Sequence, residues 1–206
     1  MPIDSRQPID AFLAAAAAKQ PTPGGGAVAA LVGATSAAIG EMVLNYSIGR
    51  KNSAPFDASL KYALGELTKA RAVLLELLVE DQDAFTELQS AKKAPDDQTK
   101  AKRVADAVAV CIRVPQAIST TALRIIDIAD SVVDTSNKWL LSDLAVCIEL
   151  AMATLRSGLH NVRANLGEVD VNRRATLIHE SGVLLHRAIE VVKRAMPRIE
   201  AIMAGA

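Results

Sequence analysis

An aspartate interrupts the apolar side of a helix at position 81. The run Leu74, Leu78, Asp81, Phe85, Leu88 advances in steps of four and three, the spacing of one helix face, while Glu76, Glu80, Asp83 and Glu87 fall mostly elsewhere. An ionised carboxylate alone in such a seam is expensive. Asp81 therefore has a cationic or hydrogen-bonding partner, stays protonated, or sits where the seam opens into a pocket. In the last case it is an acid of shifted pKa, suited to accept a proton or to face a cation. A second acid, Asp143, stands in the first turn of a later helix, where acids commonly only complement the helix dipole.

The segment Pro21-Thr22-Pro23-Gly24-Gly25-Gly26 separates an alanine-rich stretch from a long run of small and aliphatic residues. Its prolines end one helix, and its glycines remove side chains between the backbone and anything bound. The amides of residues 24 to 27 are expected to point outward unpaired and to attract carboxylate or phosphate oxygens. A tight connection between packed helices accounts for the same residues. No Lys-Ser/Thr follows, so the segment is not a P-loop.

Thr154, Ser157, Asn161 and Asn165 form a neutral polar stripe at helical spacing, which suits a buried or interfacial network better than a solvated face. Pro115, inside the apolar series Val104, Val108, Cys111, Pro115, Ile118, Ala122, Ile125, releases the carbonyl of Cys111 from its helical bond and leaves an acceptor inside the bundle. His160, His179 and His186 show no metal-ligand pattern, and no metal site is expected. Cys111 and Cys147 fall in apolar patterns and read as small buried hydrophobes.

The elements that must position these residues are helices, because helical period persists throughout and no run alternates. Six are expected, at roughly 6–19, 25–48, 56–91, 98–133, 137–166 and 170–204, with Asp170 as a cap for the last. Short connections favour an antiparallel bundle. Residues 26, 30, 33, 37 and 40 are Gly, Ala, Gly, Ala, Gly, a face that lets another helix come close, from this chain or a second copy.

The 206 residues fit a single domain, 1–206, with a substantial core. Lys plus Arg equals Asp plus Glu at 23 each, so no net field favours nucleic acid or an acidic membrane. The N-terminus lacks the pattern of a signal peptide, and the uncharged stretch after the prolines offers only about 14 mostly small residues against the roughly 20 that a membrane span needs. A cytoplasmic protein is expected.

Taken in order, Pro21 to Gly26, Gly49-Arg50-Lys51, Asp81 with Ala84-Phe85, Val114-Pro115, Ser142-Asp143 and Asn161-Val162-Arg163-Ala164-Asn165-Leu166 resemble the formiminotetrahydrofolate cyclodeaminase and methenyltetrahydrofolate cyclohydrolase family over nearly the whole chain. The family pattern departs at Arg50-Lys51-Asn52-Ser53, at Ala94-Pro95-Asp96 and at Ser142-Asp143-Leu144-Ala145. The resemblance implies an all-helical homodimer acting on a one-carbon-substituted tetrahydrofolate without metal or organic cofactor. It implies Asp81 and Asp143 as catalytic acids, and Thr22, Pro23, Gly24, Gly25, Gly26, Ser142, Asn161, Arg163 and Asn165 around the substrate. Arg50 and Lys51 would pair with its glutamate carboxylates. Hydrolysis of the methenyl compound is the favoured reaction; release of ammonia from the formimino compound, or a helical binding protein without catalysis, are the alternatives.

Overall fold

The computed structural model describes residues 6–51, 53–95 and 99–205. Asn52, Asp96 and the expected helix start at 98 lie outside them. Among the described residues there are helices, 3-10 turns and connecting turns, and no strand. The helices are α1 (Ile9–Ala17), α2 (Gly25–Asn45), α3 (Asp57–Lys93), α4 (Lys100–Ser131), α5 (Leu141–Ala164) and α6 (Val171–Met203), with 3-10 turns at Ala54–Phe56, Lys138–Leu140 and Leu166–Glu168. The sequence pattern therefore gave the right number of elements, with ends that move by a few residues.

Local chemistry sets those ends. Ala94 is extended, as the residue before Pro95 must be, so α3 stops at Lys93. Asp170 caps α6 by accepting the amides of Asn172 and Arg173 through Oδ1 at 2.9 and 3.0 Å.

Helices α2 to α5 form a four-helix core in which α2 packs on α3 and α5, and α4 packs on the same two; α6 lies against α4 and α5. The largest fully buried side chains, among them Leu44, Leu67, Ile118, Leu144 and Leu155, come from all four core helices. An arginine ladder pins α6 to α4: Arg187 to Asp127, Arg194 to Asp130, and Arg198 to both Asp130 and Asp134. Cys111 and Cys147 are free, and Cys147 is buried, its thiol pushed up to about 11 by desolvation.

The small-residue face of α2 is filled within the chain. All five of its residues are buried. A methyl group at Gly33 would stand 2.8 Å from Thr154 and 3.0 Å from Leu74, and one at Gly40 would stand 2.8 Å from Leu67. The seam thus joins α2 to α3 and α5 and gives no reason for a second copy. Helix α2 ends at Asn45, short of the expected 48, but its apolar stretch is longer than the 14 or so residues read from the sequence: it and α4 are each long and apolar enough to cross a membrane by length and composition, with about half of each such window buried inside the protein.

Because successive core helices run in opposite directions, the start of α2, the end of α3 and the end of α5 share one end of the bundle. The end of α2 and the start of α5 share the other, where the backbone amide of Asn137 donates to Ser47 Oγ at 2.8 Å.

Candidate active site

At the first of these ends a cavity of about 380 Å³ opens among Pro21, Thr22, Gly24 to Gly26, the last three turns of α3, Cys111 of α4, and Asn161, Ala164, Asn165 and Glu168. Asp81 lies at its wall, half-buried. Its Oδ2 accepts the backbone amide of Ala27 at 2.9 Å, so a carboxylate from α3 caps the first turn of α2, whose own N-cap, Gly24, has no side chain to do so. The amide of Ala27, one of the four expected to point outward unpaired, is therefore satisfied, and the anion at this helix start belongs to the protein itself. Desolvation raises the pKa of Asp81 above its ordinary 3.8; the bond from Ala27 partly opposes that.

Gly26 makes this arrangement possible. A Cβ there would fall 1.9 Å from Asp81 Oδ1 and 2.4 Å from its Cγ, so any side chain would displace the carboxylate. Gly25 is less constrained, its nearest neighbour being Asn161 Oδ1 at 3.6 Å from an added methyl.

The two asparagines have their amino groups committed to backbone oxygens. Asn161 Nδ2 donates to Ser157 O at 3.0 Å, and Asn165 Nδ2 donates to Asn161 O at 3.0 Å and to Cys111 O at 3.3 Å. The last bond satisfies the carbonyl that Pro115 releases, so the freed acceptor is used for positioning Asn165. Carbonyls accept only from donors, which fixes both amides and leaves their Oδ1 atoms to offer. With Asp81, the cavity is thus rich in acceptors, a match for a ligand that carries N–H donors and positive charge.

Phe85 is 37% exposed because the seam opens beneath it, as the position of Asp81 implied. Cys111 donates its thiol to Ala84 O at 3.4 Å, and burial first, then the nearby Asp81, push its pKa up, so it stays a neutral thiol.

Thr22, Gly24, Gly25, Gly26, Asp81, Asn161 and Asn165 come together around this cavity. Pro23 is buried behind the turn, and Arg163 is exposed beside Asn161 without lining the cavity. Arg50, Lys51, Ser142 and Asp143 are not brought to it. Asp143 and Asn161 stand eighteen residues apart on α5, about 27 Å at 1.5 Å per residue. Within one chain Asp143 is not a partner of Asp81, and Arg50 and Lys51 do not reach a ligand in this cavity. Sequence reading missed Lys92 and Glu168, although 81, 85, 88 and 92 continue the same four-three-four spacing.

A family model described as formiminotransferase-cyclodeaminase matches residues 8–181. The chain is 34% identical over 198 residues to a methenyltetrahydrofolate cyclohydrolase of Methylorubrum extorquens, covering 90% of this chain and 95% of that one. It is 24% identical to the formimidoyltransferase-cyclodeaminase of Gallus gallus, covering 96% of this chain but 37% of that protein. The fold is that of the crystal structure of formiminotetrahydrofolate cyclodeaminase from Thermotoga maritima, with a TM-score of 0.83, 24% identity and 97% of each chain covered.

Proposed function

The chain belongs to the formiminotransferase-cyclodeaminase family, and from that premise we propose that it hydrolyses 5,10-methenyltetrahydrofolate to 10-formyltetrahydrofolate. One observation carries the reading: among the described residues the acids lining the cavity are Asp81, at its wall, and Glu168, which a lysine pairs, so Asp81 is the carboxylate left to face a cation. The methenyl carbon is part of a cationic amidinium. Asp81 stabilises that charge and takes a proton as water attacks the carbon, giving a tetrahedral carbinolamine. The same proton passes to N5 as the C–N5 bond breaks. The remaining hydroxyl proton goes to solvent, leaving the formyl group on N10. The Oδ1 atoms of Asn161 and Asn165 orient the pterin through its N–H donors, and Gly25 and Gly26 let its edge approach the backbone.

Likeness to a cyclohydrolase along 95% of that protein's length favours hydrolysis. Deamination, with N10 attacking a formimino carbon, is the second reading, since the relatives of that name share the same helical region. Purified protein given each compound separately decides. Loss of methenyl absorbance above the spontaneous rate supports hydrolysis, and its appearance with ammonia supports deamination. Neither change would reject both and leave a binding protein.

We also propose a homodimer. With the glycine seam filled internally, the supporting surface is the outward side of α2, where Val28, Thr35, Ala38 and Tyr46 are exposed and the one charge, Glu41, is paired with Arg71. Light scattering that gives a monomer at micromolar concentration would reject it.

A further inference from the structure

The cavity has an electrical direction. Along α3 its lining runs Asp81, Phe85, Leu88, Lys92: acid, aromatic ring, aliphatic chain, cation. Eleven residues bring Lys92 back to the face of Asp81, about three turns and ~16 Å along the axis. Lys92 is the only cation among the described residues that line the cavity, and Arg50 and Lys51, the expected anion partners, are at the other end of the bundle. Its Nζ donates to Glu168 Oε1 at 2.7 Å, joining the end of α3 to the 3-10 turn after α5. Both side chains are close to 40% exposed, so the pair adds little to stability and exchanges readily.

We propose that Lys92 binds a carboxylate of the substrate's glutamate tail and that Glu168 occupies Lys92 until the tail arrives. This rests on the folate reading above. A methenyl folate is positive at its amidinium and negative at its tail, and the cavity presents a carboxylate at one end and, held by Glu168 until the tail arrives, an ammonium at the other. With the amidinium at Asp81, the p-aminobenzoyl ring passes over Phe85 and Leu88, and the tail reaches Lys92 at the mouth. Beyond Glu168 the surface continues into a second hollow, lined in part by Gln116 and Arg173, into which the tail can extend. On exchange, Lys92 keeps one carboxylate partner while Glu168 turns to solvent, so the step has a modest cost.

The test is a ratio of KM values for 5,10-methenyltetrahydrofolate and 5,10-methenyltetrahydropteroate, which lacks the glutamate, in wild type, Lys92→Gln and Glu168→Gln. Wild type should prefer the glutamate compound by about fivefold, Lys92→Gln should abolish the preference, and Glu168→Gln should widen it by about two- to threefold. Melting temperatures should be little changed. A preference that survives Lys92→Gln, or narrows in Glu168→Gln, would overturn the assignment. If wild type turns over neither compound, the cyclohydrolase reading fails separately. Equilibrium binding of 5-formyltetrahydrofolate against 5-formyltetrahydropteroate in the same three proteins then decides the tail assignment by the same ratios.

Discussion

Asp81 Oδ2 accepts the amide of Ala27 at 2.9 Å across 54 residues of sequence, which makes one carboxylate both the cap of α2 and the acid of the cavity. The two roles separate by substitution, because a cap needs only an acceptor whereas proton transfer and cation stabilisation need the ionisable carboxyl.

Asp81→Asn keeps an acceptor for Ala27 and should remain folded while turnover falls by at least about 10²-fold. Asp81→Ala loses the acceptor as well and should be less stable than the Asn variant by about 1 kcal/mol. Assays beside denaturant unfolding check both. Near-normal turnover in a destabilised Asp81→Asn protein would mark the residue as structural only.

Stability should carry a pH signature of the same group. Burial raises the pKa of Asp81 in the fold, so the folded state holds the proton more tightly than the unfolded one. Stability therefore declines as pH rises from about the unfolded value of 3.8 through the folded value, and it stays lower above. Asp81→Asn lacks this loss. Its stability advantage over wild type should be largest at neutral pH and shrink on acidification; a gap that widens on acidification would contradict the shift.

Gly26→Ala should lower turnover about as much as Asp81→Asn, since the added methyl occupies the place of the carboxylate. Gly25→Ala meets only an ordinary contact and should lose far less, whereas Gly25→Val crowds the ligand's path and should weaken folate binding in a folded protein. Equal losses at Gly26→Ala and Gly25→Ala would show that space around Asp81 is not the constraint.

Asn165→Leu leaves the Cys111 carbonyl without its donor and should cost about 1–3 kcal/mol. Pro115→Ala restores a backbone N–H to that carbonyl, so the same Asn165→Leu change should cost less in its background. A double-mutant cycle by denaturant unfolding measures the coupling, and additive effects would refute the shared acceptor.

The helical bundle was legible because period and breakers agree along the chain, and Asp81 stood out because its neighbours at helical spacing are apolar. The grouping of Arg50, Lys51, Ser142 and Asp143 with the glycine turn was not sound within one chain. Order of motifs does not say at which end of a bundle each lies; the alternating direction of α2 to α5 does, and it sets the start of α5 opposite its end. Lys92 and Glu168 gave no signal in the sequence, since their meeting depends on two elements 76 residues apart.

Helix α2 has no side chain at its three tightest points, Gly26 against Asp81, Gly33 against Thr154 and Leu74, and Gly40 against Leu67 and Cys147. Its geometry is that of a lever with two fulcrums and a working tip. A methyl group added at Gly40, about 21 Å from the turn, would meet Leu67 Cδ1 at 2.8 Å and Cys147 Sγ at 3.1 Å, and where those side chains do not turn aside the shaft must tilt and swing the tip relative to Asp81 and Asn161. A displacement near 1 Å at reacting groups can cost about 10²-fold in rate. Substitutions at distant positions on this seam are therefore expected to change turnover mechanically, without touching anything that is bound.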